Sequence, residues 1–96
     1  MSLTVDSTGN PIKVTGTTAA DAQVIATTSL IHVKFMYWYN ITTSGHLLVV
    51  TDGQGREIAV SKCQKDGDYE IIPIMSGHYG IRISDMDSGT LYIYHK

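Results

Sequence analysis

The side chains that could bind a metal ion are four histidines and nine carboxylates, which are spread over the whole chain. Metal sites in proteins need ligands at short spacings, such as two cysteines or two histidines separated by about two to five residues. The histidines at 32, 46, 78 and 95 stand far apart, and no pair of cysteines accompanies them. We therefore expect turn or surface histidines, with no metal ion and no cofactor.

The acidic segment at 85–89, Asp-Met-Asp-Ser-Gly, begins with the alternating acids of a calcium-binding loop. It lacks the third acid and the closing glutamate that complete such a loop. In a turn, Asp and Ser side chains bind the nearby backbone, and glycine allows the chain to reverse. We expect this segment to join two strands without calcium.

The sequence does not indicate a nucleophile for covalent catalysis. The chain contains no Gly-x-Ser-x-Gly motif, and Cys63 falls in a strand-like segment, where no helix N-terminus would lower the pKa of its thiol. Glu57 and Glu70 are the only glutamates, so a catalytic carboxylate pair would have to come mainly from aspartates. The glycine-containing segment Asp52–Gly55 precedes a strand and not a helix, which argues against a phosphate-binding loop. We expect a protein that is not an enzyme.

Charge and hydropathy argue against two classes of partner. The net charge is −2, and the seven basic residues are scattered among acids, whereas a nucleic-acid-binding face needs clustered Lys and Arg. No run reaches the roughly 18 apolar residues that indicate a membrane-spanning helix. The single cysteine excludes an internal disulfide, which fits assembly in a reducing cytoplasm. We expect neither nucleic acid nor membrane as a partner.

Aromatic residues are the remaining candidates for recognition, because a tyrosine or tryptophan on a sheet surface can stack on a sugar or anchor a protein interface. Trp38 and Tyr94 fall on faces that alternate with the main aliphatic rows, so we expect aromatic side chains outside the core. A central strand buried on both sides explains residues 35–39 equally well. The candidate interface consists of Tyr37, Trp38, Tyr92 and Tyr94.

The elements that would position these residues are β-strands, since apolar and polar residues alternate with a period of two in several segments. Asp52–Gly55 separates two such segments and supplies the glycines that a tight turn requires, so we predict a hairpin there. In the segment 31–39, the alternation predicts that Phe35, Tyr37 and Tyr39 share the face of the preceding aliphatic residues. The predicted strands are 12–15, 22–27, 31–39, 47–51, 57–61, 69–74, 79–84 and 90–95.

The predicted fold is all-β. We expect a two-sheet antiparallel sandwich, of the jelly-roll or immunoglobulin-like type, with about seven to eight short strands. The length of 96 residues fits one domain. We divide the chain into an N-terminal arm at 1–11 and a β-sandwich domain at 12–96. A short helical turn at 18–22 is the one alternative to strand or loop.

The second half of the chain contains a set of turn-and-strand phrases, which are Tyr37-Trp38-Tyr39-Asn40, Thr42-Thr43-Ser44-Gly45-His46-Leu47, Val50-Thr51-Asp52-Gly53-Gln54-Gly55-Arg56, Tyr79-Gly80-Ile81-Arg82 and Asp87-Ser88-Gly89-Thr90-Leu91-Tyr92-Ile93-Tyr94. These phrases resemble a group of small proteins encoded among the structural genes of tailed bacteriophages. The resemblance covers residues 31–96.

This resemblance implies an all-β virion component, such as a capsid decoration or cement protein, or a small head or tail protein. Its partners would be the major capsid protein or another head or tail component. The chain would form a homo-oligomer, with a trimer as the first expectation, and would reside in the virion after assembly in the host cytoplasm. A carbohydrate-binding β-sandwich that uses exposed aromatic side chains is the alternative that the residues leave open.

Overall fold

The computed structural model describes residues 4–6, 9–16, 22–65, 67 and 69–96. The strands in these residues are β1 (Thr4–Asp6), β2 (Ile12–Thr15), β3 (Ala22–Tyr39), β4 (Leu47–Asp52), β5 (Glu57–Lys62), β6 (Glu70–Met86) and β7 (Thr90–His95). They form one antiparallel sheet in the order β1-β2-β7-β3-β6-β4-β5. The prediction of an all-β antiparallel fold is confirmed. The alternative helical turn at 18–22 falls, apart from Ala22, outside the described residues.

β3 and β6 are much longer than the strands that the sequence predicts, with 18 and 17 residues. Each of them joins two neighbouring predicted strands, so the predicted breaks at 28–30 and 75–78 are wrong. Gly77 is of a residue type that is typical of turns, but it lies within β6 opposite His32. A Cβ atom at this position would be 3.0 Å from the His32 ring. Glycine at 77 therefore permits a close approach between two strands and does not reverse the chain.

An extra residue in the middle of β3 interrupts the regular pairing. Val33 pairs with His95 of β7, and the next pair is Phe35 with Tyr94, so Lys34 has no opposite residue in β7. Such a bulge shifts all following side chains to the other face of the sheet.

The bulge decides which residues of β3 enter the core. Met36 and Trp38 are fully buried, as is Val33 on the other side of the bulge, whereas Tyr37 and Tyr39 face outward. The prediction that Tyr37 and Tyr39 share the face of the preceding aliphatic residues is therefore wrong. No residue pattern around Lys34 marks the bulge, so simple alternation could not locate it.

The core lies on one face of the sheet and includes residues from strands near both ends of the strand order. In the part of the chain that the structure describes, no helix or second sheet covers this face. The burial of these side chains, none of which is more than 9% exposed, therefore requires the sheet to curve over itself, which the long, irregularly paired β3 and β6 allow. The buried cluster is Ile12, Val14, Ile31, Val33, Met36, Trp38, Ile41, Leu48, Val50, Ala59, Cys63, Ile81, Ile83, Met86, Leu91 and Ile93.

The predicted hairpin at Asp52–Gly55 is confirmed, because β4 and β5 are antiparallel neighbours with Leu47 opposite Lys62 and Thr51 opposite Glu57. At the other end of the sheet, Thr4–Asp6 of the predicted arm pairs with β2 as an edge strand. The expectation that the arm at 1–11 contacts a neighbouring chain rather than its own core is wrong for Val5, which packs against the core of its own chain. Among the described residues, no helix has the length and apolar character needed to cross a membrane.

Candidate interaction surface

The outer surface of the three adjacent strands β7, β3 and β6 carries most of the aromatic side chains of the protein. Tyr37 is opposite Tyr92 of β7 and opposite Ile71 of β6, so its neighbours on both sides are apolar or aromatic. We call this surface the aromatic face, and its members are Phe35, Tyr37, Tyr39, Tyr69, Ile71, Tyr92 and Tyr94.

Ring contacts hold the aromatic face together with Tyr37 at its centre. The centroid of the Tyr37 ring is 5.6 Å from that of Tyr39, 5.7 Å from that of Tyr69 and 6.1 Å from that of Tyr92. These distances fall within the range of favourable aromatic pairs, which contribute roughly 0.5–1.5 kcal/mol each beyond area burial. The rings therefore restrict one another before any partner arrives.

A second ring pair extends the aromatic face along the strands. Phe35 and Tyr94 are directly opposite each other in β3 and β7, and their rings stack at 4.4 Å with an angle of 17° between planes. On the far side of β7, Lys13 of β2 is opposite Tyr92 and is exposed. An aromatic centre with a charged residue at its margin is the usual composition of a protein interface.

The aromatic face is uncharged around its central ring at neutral pH. Partial burial raises the pKa of the Tyr37 phenol above its ordinary value, and the neighbouring phenols of Tyr39 and Tyr69 raise it further. Several members also leave much of their surface in contact with solvent: Tyr39 is 49% exposed, Tyr69 52% and Ile71 60%. Exposed apolar patches of this kind commonly mark binding sites.

The structure brings together three of the four residues of the predicted interface. Tyr37, Tyr92 and Tyr94 lie on the aromatic face, whereas Trp38 is fully buried, and its Nε1–H donates to the Ser88 carbonyl oxygen at 2.8 Å. Placing Trp38 in the interface was therefore wrong, because the β3 bulge turns it inward.

Sequence reasoning left four members of the aromatic face out of the candidate interface. Phe35 and Tyr39 lie two positions on either side of Tyr37, so counting in steps of two from that residue would have found them. Tyr69, directly before β6, and Ile71, within it, show the same spacing. Their place beside Tyr37 depends on the strand order, which the sequence does not indicate.

The turn between β6 and β7 forms a separate polar cluster. His46 Nδ1 lies 2.7 Å from Ser88 Oγ, the Thr42 N–H donates to the same hydroxyl at 3.2 Å, and the Leu47 N–H donates to Asp87 Oδ2 at 2.9 Å. Ser88 is buried, so these bonds tie the loop at 40–46 to the turn at a position with little access for a substrate. Residues 87–89 of the predicted turn segment 85–89 connect β6 to β7, whereas Asp85 and Met86 belong to β6.

Asp85 near the end of β6 and Asp87 in the turn have opposite pKa shifts. Burial and the adjacent Asp87 raise the pKa of Asp85 to about 6, whereas the Leu47 N–H and the hydrogen bond shared with Asp85 lower that of Asp87. Within the described part of the chain, no three His, Cys, Asp or Glu side chains are grouped so that they could hold a metal ion.

An open cleft of about 590 Å³ lies between the β4–β5 turn and the middle of β6. We call it the turn cleft. It is lined on one side by Asp52, Gln54 and Arg56 of the turn and on the other by Leu30 and Tyr79. Exposed aromatic and polar side chains thus meet at a second location, away from the aromatic face.

Comparisons with protein-family models, with curated proteins and with solved structures find no match to this chain. The resemblance to virion proteins of tailed bacteriophages therefore remains a prediction from the sequence phrases.

Proposed function

We propose that this protein is a non-enzymatic structural component of a phage virion, and that it binds other virion proteins through the aromatic face. The observation that carries this proposal is the exposed, uncharged group of stacked rings around Tyr37 on three adjacent strands. Aromatic side chains supply a large share of the binding energy at protein interfaces. Their mutual stacking reduces the conformational entropy that binding would otherwise remove.

The virion is the proposed location because of the phage-like phrases in residues 31–96. The proposed partner is the major capsid protein or another head or tail component, with capsid decoration as the most specific form of the proposal. Tyrosine suits such a contact, because its ring is apolar while its hydroxyl still forms hydrogen bonds in a hydrated interface. The proposed homo-oligomer is a trimer.

A two-layer sandwich is the proposed detailed architecture. β7 and β2 extend the sheet from residues 33–39 of β3, whereas β4 and β5 extend it from residues 81–86 of β6. The two ends of the sheet would then face each other across the core. In this arrangement the aromatic face is the outside of one layer.

Particle incorporation tests the proposed function. We expect the protein to copurify with gradient-purified particles of the phage that encodes it, at a fixed ratio to the capsid protein. We further expect the double variant Tyr39→Ser/Ile71→Ser, which changes two exposed members of the aromatic face, to lower incorporation about tenfold or more. Tyr79→Ser is the matched control, since Tyr79 is equally exposed but lies outside this face.

Two outcomes would overturn the proposal. One is the absence of the wild-type protein from purified particles. The other is equal incorporation of the double variant and the wild type, with melting curves showing that both are folded.

A further inference from the structure

The rim of the turn cleft is rigidly built. The Gly53 N–H donates to the Tyr79 carbonyl oxygen at 3.0 Å, which fixes the β4–β5 turn against β6. Within the turn, Asp52 Oδ1 accepts the N–H groups of Gln54 at 2.8 Å and Arg56 at 3.0 Å. The rim is therefore ordered in advance of binding, which reduces the free-energy loss of ordering it around a ligand.

Both carboxylate oxygens of Asp52 make contacts within the turn. Its Oδ2 lies 3.2 Å from Nε of Arg56, so the two side chains form an ion pair. Partial burial opposes ionisation of Asp52, but the N–H groups of Arg56 and Gln54 outweigh it and lower the pKa of this carboxyl. Asp52 therefore stays ionised at neutral pH and neutralises the nearby guanidinium.

The opposite wall is apolar and exposed. Leu30 and Tyr79 are cross-strand neighbours in β3 and β6, with 52% and 59% of their surfaces open to solvent. Gly77, two positions before Tyr79 in β6, also lines the cleft. A phenol ring beside an isobutyl group offers a flat surface to the C–H groups of a ligand.

Polar side chains border this apolar wall. Gln54, Glu57 and His78 line the cleft and together provide hydrogen-bond donors and acceptors. The contacts described for Arg56 use its backbone N–H, its carbonyl oxygen and its Nε, and its side chain is 79% exposed. Its two terminal nitrogens thus supply further donors at the rim.

The charges of the cleft do not favour an anion. Arg56 is balanced by Asp52, and Glu57 adds a negative charge, so a phosphate or sulfate would meet no excess of positive charge. The volume lies within the range of small-molecule sites, about 300–1,000 Å³. A neutral ligand with one apolar face and many hydroxyl groups fits all of these features.

We propose that the turn cleft is a carbohydrate-binding site that takes a neutral pyranose unit of a glycan. The C–H face of the sugar stacks on Tyr79 and Leu30. Its hydroxyl groups exchange hydrogen bonds with Gln54, Glu57 and Arg56. This site is separate from the aromatic face, so it does not depend on the proposed virion contact.

An NMR titration of the whole chain tests the site. The probes are the methyl β-glycosides of glucose, galactose and N-acetylglucosamine, with the acyclic polyol sorbitol as a control for unspecific effects. We expect at least one glycoside to shift the backbone amides of residues 53–56 and 77–80 in a saturable way. The dissociation constant should be on the order of 1 mM, as is usual for a single small ligand in an open site.

Three variants identify the contacts. Tyr79→Ala should weaken binding about tenfold, whereas Tyr79→Phe, which keeps the ring, should bind almost as well as the wild type. Tyr39→Ala is the matched control because it removes an exposed tyrosine of the aromatic face.

Several results would overturn the carbohydrate site. Absence of saturable shifts with all three glycosides would do so, as would equal shifts with sorbitol. Shifts confined to the aromatic face, or a Tyr79→Ala variant that binds as well as the wild type, would also reject it. None of these results bears on particle incorporation, so the two proposals can fail independently.

Discussion

Gly89 combines two constraints at the turn that supports the buried tryptophan. Its φ of +87° is in the left-handed region, and a Cβ atom there would lie 2.6 Å from the Tyr39 carbonyl oxygen and 3.0 Å from Nε1 of Trp38. The backbone of Tyr39 cannot move away without disturbing the pairing of β3 with β7. The glycine therefore allows the turn to pack on the end of β3.

We predict that Gly89→Ala lowers the free energy of unfolding by at least about 2 kcal/mol, because strain and a backbone clash add together. Gly55→Ala is the matched control, since Gly55 has a φ of +88° but no heavy atom within 4 Å of the added Cβ. Gly55→Ala should lower the free energy of unfolding only by the cost of positive φ for alanine, about 1–2 kcal/mol. Urea denaturation of both variants measures the difference, and equal losses would contradict the proposed clash.

Asp85 makes the free energy of unfolding depend on pH. Its pKa is raised to about 6 in the folded chain, and its Oδ1 atom is buried without a hydrogen-bond partner among the described residues. The folded state therefore binds this proton more tightly than the unfolded state. The resulting stability is fully present below about pH 4 and is lost as the pH rises through about 6.

We predict that Asp85→Asn raises the melting temperature at pH 7.5. This gain over the wild type should shrink steadily as the pH is lowered to about 4. The amide is neutral at every pH and resembles the protonated acid in shape. Melting curves of both proteins across this range provide the measurement. A constant difference between them, or a variant that is less stable at pH 7.5, would show that the pKa of Asp85 is not raised.

For individual side chains, alternation along the strands predicted some buried positions correctly and others wrongly. Alternation in the predicted strands 79–84 and 90–95 puts Ile81 with Ile83, and Leu91 with Ile93, on a shared face, and all four side chains are completely buried. Trp38 was misplaced because the count of alternating residues had passed the bulge at Lys34. Alternation predicts a face only as far as the pairing stays regular.

At the scale of elements, β6 contains a bulge of its own. Val33 pairs with Ser76 and Phe35 with Pro73, so two residues of β6, Ile74 and Met75, oppose the single Lys34. Met75 has a φ of +58° and is 79% exposed. A methionine in this conformation is strained, and its side chain contributes little packing that would offset the strain.

We predict that Met75→Gly leaves the stability equal or raises it by up to about 1 kcal/mol, because glycine relieves the strain but loses more entropy on folding. Met75→Val should instead lower stability, because a β-branched residue tolerates positive φ poorly. Chemical denaturation of the two variants measures the difference between their free energies of unfolding. A glycine variant less stable than the valine variant would contradict the assigned backbone conformation.

Element boundaries were predictable where the sequence contains a real turn. Asp52–Gly55 joins neighbouring strands as expected, since two glycines lie between alternating segments. Gly77 was misleading because the same residue type also serves close strand approach. The strand order, which places β7 beside β3 and so assembles the aromatic face, depends on long-range contacts that local patterns do not encode.

At the scale of the whole molecule, the sheet buries one face in its core and leaves aromatic rings on the other. A domain of 96 residues has a limited core, and a typical interface of about 800 Å² per partner would cover a substantial part of its surface. Binding to a lattice of other subunits would therefore bury the exposed rings around Tyr37. The low content of charged residues, 17%, is consistent with such a covered surface.

The most direct test of the proposed virion role is a cryo-electron microscopy reconstruction of the tailed-phage particle that is proposed to contain the chain. We predict ordered density for the domain on the head or tail, with the outer side of β7, β3 and β6 against another subunit. Tyr39 and Ile71 should lose their exposure in that contact. Density in which the aromatic face points into solvent, or a particle that lacks the domain, would contradict the proposal that this face binds other virion proteins.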